Sequence, residues 1–145
     1  MVKVRNAEVS DAAAIASLVS QLGYASTPAE MSSRLMPLLA DPSHTVIVAD
    51  LSGRLLGVAD ACLERGIQHD DYARVIALVV DATARGQGIG AFLMHQIEEW
   101  GKEHGAGRVT LTTASHRADA HKFYENIGYE CTGRRYIKRL IGGER

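Results

Sequence analysis

A strongly apolar run and a glycine-rich loop lie next to each other in the middle of the chain and decide its fold. Residues 75–80 read VIALVV, and residues 85–91 read RGQGIGA. The apolar run predicts a strand from Tyr72 to Val80 that is covered on both faces. Apolar residues at helical spacing begin at Ile89, which predicts a long helix after the loop. A strand, a loop and a helix are therefore expected at the centre of the fold.

Strands and helices are also predicted before this unit. The alternation of Val2 to Arg5 predicts a first strand, and a helix capped by Ser10 follows it. Thr27-Pro28-Ala29-Glu30 is a capping box with proline at the first helical position, and it predicts a second helix. The segments His44 to Asp50 and Arg54 to Glu64, joined by a Ser-Gly turn, predict an antiparallel hairpin.

The helix after the glycine loop is predicted to run to about His104. Its inner stripe is predicted to consist of Ile89, Phe92, Leu93, Ile97 and Trp100. A strand over Arg108 to Thr113, a helix over Ala118 to Ile127 and two short strands within Tyr129 to Leu140 complete the chain. The order β-α-α-β-β-β-α-β-α-β-β predicts an α/β (α+β) sheet with helices packed on it, in a single domain over residues 1–145.

The composition is that of an ordinary globular protein. The chain has 145 residues, of which 46% are hydrophobic and 23% are charged, and its formal net charge is -1. This balance excludes a disordered chain and gives no strong field for nucleic acid or anionic membranes. No apolar run approaches the ~20 residues that span a bilayer, and the polar N-terminus lacks the apolar stretch of a secretory signal. We therefore expect a cytoplasmic protein.

The cysteines are not expected to form a functional site. Cys62 and Cys131 both fall in predicted strands and have no C-x-x-C spacing. They are predicted to be reduced core thiols rather than part of a disulfide framework or a zinc site. His69 and Asp70 lack the ligand spacing of a rigid metal site, so no metal is predicted.

The glycine loop is predicted to bind an anion. At the start of a helix the backbone N–H groups have no helical acceptor, and the helix dipole adds positive character there. Glycines let a phosphate approach the main chain closely, and Arg85 contributes a full positive charge. A pyrophosphate ligand fits this description.

Two other phosphate-binding motifs fit the loop less well. Gly86-x-Gly88-x-x-Ala91 satisfies the dinucleotide fingerprint, but the five residues Asp81 to Arg85 separate it from the strand. The next strand also ends at Thr113 without the acidic residue that holds a ribose. A P-loop is excluded because no Gly-Lys-Ser/Thr follows.

A second motif downstream makes the pattern specific. The apolar strand, Arg85-x-x-Gly88-x-Gly90 and the long amphipathic helix are followed by Phe123-Tyr124-Glu-Asn-Ile-Gly128-Tyr129. Together these elements resemble the central and C-terminal motifs of the GNAT superfamily of acetyl-CoA-dependent N-acetyltransferases. The predicted order of strands and helices matches that family over essentially the whole chain. The resemblance implies a mixed, mostly antiparallel sheet of about seven strands with four helices, splayed between the fourth and fifth strands.

The resemblance also implies how acetyl-CoA is held. The pantetheine arm would pair with the fourth strand like an added strand, and main-chain amides of the glycine loop would hold the pyrophosphate. The matching positions are Leu78, Val79, Val80, Arg85, Gly86, Gln87, Gly88, Ile89, Gly90 and Ala91. Tyr124 matches the family tyrosine near the thioester sulfur, whose phenol donates a proton or a hydrogen bond to the departing thiolate. Phe123 beside it is assigned to the core.

The usual position does not supply a proton acceptor for the substrate amine. Attack on a thioester requires a neutral amine, so a side chain or a water must take its proton. Many relatives carry a glutamate on the fourth strand, where this chain has Ile76 and Ala77. The alternatives at neighbouring strand ends and downstream are Glu64, His69, Asp70, Asp71 and His116.

Further positions concern the acceptor and the cofactor. The candidates for the acceptor site are Tyr24, Glu64, His69 and Asp71. Tyr24, between the first two helices, lies where family members line the acceptor pocket, and is otherwise a helix-end aromatic. The acidic loop from Glu64 to Asp71 favours a cationic acceptor. Arg117 stands where many members have an asparagine that contacts the cofactor, so it either meets a phosphate or is solvated.

The predicted function is transfer of the acetyl group of acetyl-CoA to a primary amine of a small molecule or peptide, by direct attack in a ternary complex. No covalent intermediate is predicted, because Cys62 and Cys131 lie away from the motifs. A non-catalytic acyl-CoA-binding or sensing module, favoured by the missing strand glutamate, and a dinucleotide-binding enzyme are the alternatives. A C-terminal strand with Tyr136 and Ile137 could pair across a homodimer. Neither nucleic acid nor a membrane is an expected partner.

Overall fold

The computed structural model describes residues 1–113 and 118–142. The chain forms two compact parts, Met1–Leu111 and Thr112–Arg145, and each is described by itself. The elements of the first part are β1 (Lys3–Asn6), α1 (Ala12–Ser20), α2 (Pro28–Ala40), β2 (His44–Leu51), β3 (Arg54–Glu64), β4 (Tyr72–Val80), α3 (Ile89–Glu103) and β5 (Val109–Leu111). The second part contains α4 (Ala118–Asn126).

The strands form one mixed sheet in the order β1-β2-β3-β4-β5. The pairs from β1 to β4 are antiparallel, and β5 runs parallel to β4. The predicted α/β class with four helices and a mixed sheet is confirmed. The expected number of about seven strands is wrong for the described residues, which contain five.

The missing strands are the two predicted within Tyr129 to Leu140. Every described residue from Glu130 onward is exposed, and Tyr136 is 89% exposed. A strand pattern becomes a strand only where a neighbour takes its backbone hydrogen bonds and another layer covers one face. Residues 130–142 are exposed and form no strand, so the strand that could pair across a homodimer is absent from this segment. Cys131 is likewise exposed rather than a core thiol.

The predicted hairpin of β2 and β3 is confirmed. Ser52 and Gly53 both have positive φ values, 50° and 94°. Two positive φ values are typical of the type I′ turn, whose twist matches that of the flanking strands. The Asp50 carboxylate accepts a hydrogen bond from the Gly53 N–H at 2.7 Å and closes the turn.

One of the two predicted helix caps is confirmed. The Thr27 hydroxyl accepts a hydrogen bond from the Glu30 N–H at 3.0 Å, and the Glu30 carboxylate accepts one from the Thr27 N–H at 2.8 Å. The cap at Ser10 is wrong, because a 3-10 turn over Val9–Asp11 precedes α1. There the Asp11 carboxylate accepts the Glu8 N–H at 2.8 Å and closes the turn, and no side chain caps α1 itself.

The helices cover both faces of the sheet. Val46, Val48 and Val58 pack in one apolar cluster with α1 and α2. Gly57 faces the other way, since a Cβ added to it would lie 2.9 Å from Leu93 of α3. Neighbouring residues of a strand point to opposite faces, so α3 lies on the face opposite α1 and α2.

The buried stripe of α3 differs from the predicted one. Its buried residues are Ile89, Gly90, Leu93, Met94, Ile97 and Gly101. Phe92 is 40% exposed and Trp100 is only half-buried, so both were wrongly assigned to the inner stripe. The i, i+4 row through Leu93 and Ile97 faces the sheet, and Phe92 lies about 100° around the helix from Leu93. No helix within the described ranges is long and apolar enough to cross a bilayer.

A charged network anchors the first strand to the turn before α1. The Arg5 guanidinium donates to both carboxylate oxygens of Asp11 at 2.9 Å and to Asp50 at 3.0 Å. Asp11 is only 9% exposed, so this carboxylate depends on its partners. The hydrogen bonds from Arg5 hold the pKa of Asp11 below its usual range.

Asp11→Asn is expected to lower the free energy of unfolding by about 1–2 kcal/mol at neutral pH, because Arg5 loses a charged partner. Since the pKa of Asp11 is lowered in the folded state, its stabilisation is complete above the ordinary carboxyl pKa of about 4 and is lost as the pH falls below it. Denaturant unfolding at pH 7 and pH 3 should show the difference from wild type shrinking in acid. Asp70→Asn, at an exposed loop position, is the control, and a pH-independent difference would contradict the ion-pair account.

Candidate active site

The edge of β4 that faces β5 is open over its second half. The parallel pairing joins Ala73–Val75 to Val109–Leu111 and ends there. Within Met1–Leu111, β4 continues from Ile76 to Val80 with no strand on that side. The two strands therefore separate at Val75.

A β-bulge coincides with this separation. Ala61 of β3 pairs with Val75 and Asp60 pairs with Ala77, which leaves Ile76 without a cross-strand partner. A bulge bends its strand. The extra residue also shifts the alternation by one, so that beyond the bulge different residues bond to each neighbouring strand. The side chain of Ile76 is accordingly 45% exposed, an exception to the predicted double coverage of β4.

The bulge decides which peptide groups of β4 point to the open edge. Before it, the Ala73 N–H donates to Arg108 on the β5 side at 3.0 Å. After it, the Asp81 N–H donates to Leu56 on the β3 side at 2.8 Å. Bonding alternates along an antiparallel pair, so Val79 bonds to β3 while Leu78 and Val80 turn their N–H and C=O groups to the open edge.

The glycine loop continues from this edge. Gly86 and Gly88 have φ values of 79° and 81°, and no atom lies within 4 Å of a Cβ added to either. The first helical bond of α3 runs from the Phe92 N–H to the Gly88 carbonyl at 3.0 Å. The N–H groups of Gly88 to Ala91 therefore have no helical acceptor, and an anion could accept from them.

Asp81 fixes the linker between β4 and the loop. Its carboxylate accepts hydrogen bonds from Thr83 at 2.5 Å, from Gln21 at 2.8 Å and from Arg54 at 2.9 Å. The hydrogen bond from Thr83, followed by that from Gln21, lowers the pKa of Asp81. Local sequence does not reveal this anchor, because Gln21 and Arg54 lie far from Asp81 along the chain.

The predicted phosphate ligand Arg85 is exposed and turns back toward β4. Its Nε donates to the Val80 carbonyl at 3.3 Å. Gln87 is also exposed, whereas the side chain of Ile89 is buried beneath the loop. The role of these residues in binding a cofactor stays a prediction.

Gly57 lets α3 approach the sheet below the loop. A Cβ at this position would lie 2.9 Å from Leu93, 3.1 Å from the Val79 carbonyl and 3.3 Å from Ile89. Real Cβ contacts are rarely so short, so a larger residue would displace the start of α3 or the end of β4. Gly57 therefore sets the distance between the open edge and the helix N-terminus.

Three of the predicted acceptor residues lie together, but at the other end of β4. Glu64 forms an ion pair with Arg74 at 2.8 Å and Asp71 forms one with Arg65 at 3.3 Å. The His69 ring lies 4.8 Å from that of Tyr72. β4 runs from Tyr72 to Val80, so roughly 26 Å of strand separate this cluster from the glycine loop. The arginines pair with two of the three carboxylates of the acidic loop, which weakens the reason for expecting a cationic acceptor.

Tyr24 lies at the opposite end of the sheet from that cluster. It is 49% exposed and follows Gln21, whose side chain bonds to Asp81 beside the glycine loop. The structure thus brings Tyr24 to the loop's end of the sheet, apart from Glu64, His69 and Asp71.

Tyr124 lies on α4, in the second part of the chain, and is half-buried. Its ring makes edge contacts with Phe123 at 5.1 Å and Tyr129 at 6.0 Å. The Tyr129 N–H donates to the Tyr124 carbonyl at 3.0 Å across Gly128, which ends the helix as predicted. Phe123 is half-buried rather than a core residue. Arg117 and His116 lie outside the described residues.

One thiol is half-buried, and no metal-binding cluster is found among the described residues. Cys62 is half-buried, and burial raises the pKa of its thiol, so the reactive thiolate is disfavoured. No group of three or more His, Cys, Asp or Glu side chains suited to a metal occurs in the part of the chain that the structure describes.

The open edge and the glycine loop agree with a family comparison. A model of the acetyltransferase (GNAT) family matches residues 13–129. The chain belongs to the GNAT family. The match includes α1 to α4 almost completely, together with the loop and the Tyr124 motif.

Individual proteins are also similar to this chain over most of its length. The aminoalkylphosphonate N-acetyltransferase of Salmonella typhimurium is 32% identical over 103 residues, which is 70% of this chain and 67% of that protein. The human N-acetylaspartate synthetase is 30% identical over 63% of this chain, a region that spans only 30% of the synthetase. A structure of an aminoglycoside N-acetyltransferase in complex with CoA superposes with a TM-score of 0.86, at 18% identity, over 96% of this chain and 94% of the other. That likeness shows a shared fold.

Gly57→Ala is expected to weaken CoA binding about tenfold and to lower the free energy of unfolding by about 1–3 kcal/mol, because the added methyl overpacks the contact below the loop. Calorimetric titration with CoA and thermal unfolding measure both effects. Gly107→Ala is the matched control, since nothing lies within 4 Å of a Cβ there. Unchanged CoA affinity in Gly57→Ala would show that this contact does not position the loop.

Proposed function

We propose that this GNAT protein transfers the acetyl group of acetyl-CoA to a primary amine of a small molecule or peptide, by direct attack in a ternary complex. The observation that carries the proposal is the open edge of β4. The glycine loop and the start of α3 follow it along the chain, and there the backbone N–H groups have no helical acceptor. A cytoplasmic location is part of the proposal. The names of the two relatives above support a small amine as acceptor.

The residues present fit acetyl-CoA, which supplies an acetyl group activated as a thioester. The Leu78 peptide groups and the Val80 N–H offer donors and an acceptor to the amides of a pantetheine arm, as an edge strand does, while the Val80 carbonyl already accepts from Arg85. The amides from Gly88 to Ala91 would hold the pyrophosphate, and the empty space at Gly86 lets it approach the main chain.

The acceptor amine must arrive neutral at the acetyl carbonyl carbon. Its nitrogen forms the new C–N bond as the C–S bond breaks, and the electron pair leaves on the sulfur. An ammonium loses two protons in the whole reaction. One goes to a base and then to solvent. The Tyr124 hydroxyl would donate its own proton to the sulfur and regain the other proton of the nitrogen, directly or through solvent, so that the phenol is restored. Holding amine and thioester together supplies much of the rate.

Acetyl-CoA is expected to raise the unfolding temperature, whereas NAD is not. A ligand that binds only the folded state stabilises it by about 2.7 kcal/mol at one hundred times its Kd. The same protein is then assayed for CoA release with a panel that includes 2-aminoethylphosphonate, aspartate, an aminoglycoside and a lysine peptide.

Each result of this pair of assays distinguishes one function. Transfer to a panel amine supports the enzyme. Tight acetyl-CoA binding without transfer to any amine contradicts it and favours an acyl-CoA-binding or sensing module. Stabilisation by NAD alone would favour the dinucleotide-binding alternative.

Tyr124→Phe is expected to lower kcat at least tenfold with a good acceptor, because the departing thiolate loses its proton donor. CoA affinity should change less than about twofold, since the ring is retained. Tyr136→Phe is the matched control, at a position that is 89% exposed. If both variants turn over like the wild type, Tyr124 is not the acid.

A further inference from the structure

A histidine and an aspartate form a contact on the sheet beside the bulge of β4. The Nε2 of His44 on β2 and the Oδ1 of Asp60 on β3 are in direct hydrogen-bond contact. The His44 side chain is 7% exposed and that of Asp60 is 22% exposed. The imidazole is thus buried behind the carboxylate, and the carboxylate reaches solvent.

The register places Asp60 next to the point where β4 and β5 separate. Asp60 pairs directly with Ala77, the residue after the bulge at Ile76. Directly paired residues lie on the same face of a sheet with Cα atoms about 5 Å apart. Asp60 also pairs with Val46, which belongs to the cluster under α1 and α2. The carboxylate therefore lies on the α1 and α2 face, one strand away from the start of the open edge.

Asp60 differs from the other carboxylates near β4. Glu64 and Asp71 form ion pairs with arginines at the far end of the strand. Asp81 is held by Arg54, Gln21 and Thr83. The ion-pair partner of Asp60 is a histidine rather than a permanent cation. A carboxylate next to a permanent cation is a poor proton acceptor, whereas a histidine can share or pass on a proton near neutral pH.

We propose that Asp60 takes the proton of the acceptor ammonium, directly or through one water molecule, and that His44 is the positioning residue that orients Asp60. The inference rests on the proposed function and adds the base that the apolar pair Ile76 and Ala77 does not supply. The nitrogen keeps its electron pair for the thioester carbon, and the proton leaves Asp60 for solvent after the product departs. His44 holds one carboxylate oxygen of Asp60 and so fixes the side chain of this residue, which pairs with Ala77.

The surrounding charges are few. Asp41, in the turn after α2, lies near His44. Cys62 and Glu64 of β3 and Arg74 of β4 lie along the same strands. α1 carries no charged residue, and the charged residues of α2, Glu30 and Arg34, are exposed. Because Arg74 is paired with Glu64, the pair of His44 and Asp60 is the titratable group closest in register to the bulge.

The test compares Asp60→Asn and His44→Gln with wild type, using 2-aminoethylphosphonate or whichever panel amine the wild type acetylates. In Asp60→Asn, kcat/KM at pH 7 should fall at least about 100-fold, the contribution typical of a general base. The deficit should shrink as the pH approaches the ordinary pKa of a primary amine, about 10.4, because a growing share of the amine is then neutral without a base. A merely structural defect would lower the rate equally at every pH. CoA affinity by calorimetry should stay within twofold in both variants.

His44→Gln should lower kcat/KM about tenfold at pH 7, because the amide orients Asp60 less well than the imidazole. If Asp60→Asn does not fold, His44→Gln still tests the role of the pair. Glu103→Gln and His95→Gln, on the exposed side of α3, are the matched controls and should behave as wild type.

Two kinds of result overturn the inference, and they are distinguishable. A folded His44→Gln or Asp60→Asn variant with the kcat/KM of wild type at pH 7, or a deficit in Asp60→Asn that is constant with pH, overturns the role of the pair while the proposed function stands. A wild-type protein that binds acetyl-CoA but acetylates no panel amine overturns the proposed function, and the inference with it.

Discussion

The structure depends on the interruption of strand pairing along one edge of β4. Peptide N–H and C=O groups need partners, and β5 supplies them only as far as Val75. The bulge at Ile76 then turns the groups of Leu78 and Val80 toward the gap. A flat, fully paired sheet would leave nothing for an extended ligand to bond. The bulge therefore converts a strand that is otherwise ordinary core into one side of a binding cleft.

A ligand can bind both the open edge of β4 and the N-terminus of α3 only if the distance between them is fixed. Close packing fixes that distance. Gly57 brings α3 against the sheet, so the unbonded amides at its start follow the open edge directly. Asp81 bonds the intervening linker to Gln21 at the end of α1 and to Arg54 of β3. Both devices work through contacts between distant parts of the chain. They hold main-chain groups rather than side chains, which suits a ligand recognised by its own amides and phosphates.

The carboxylates around β4 differ in the side chains that they pair with. Glu64 and Asp71 are neutralised by arginines, and Asp81 serves as an anchor. Asp60 instead lies against a buried imidazole, next to the bulge. Local sequence does not reveal this arrangement, because His44 and Asp60 meet only through the register of β2 and β3. Polar residues cluster at strand ends and in the loop after Glu64, and these positions are the candidates for a base that the linear sequence offers. A cross-strand pair is not among them.

Local patterns alone were sufficient for several features: the strand at Tyr72–Val80, the capping box at Thr27, the β2–β3 hairpin and the helix after the glycine loop. Each depends on interactions within a few residues, such as a cap, a turn or a hydrophobic period. Only the tertiary structure decided that β5 leaves β4 at Val75, that Ile76 bulges outward, that Phe92 faces solvent and that the segment after Glu130 forms no strand within the described residues. Those outcomes depend on which neighbour takes each backbone hydrogen bond and which layer covers each face, and neither is encoded in a short window of sequence.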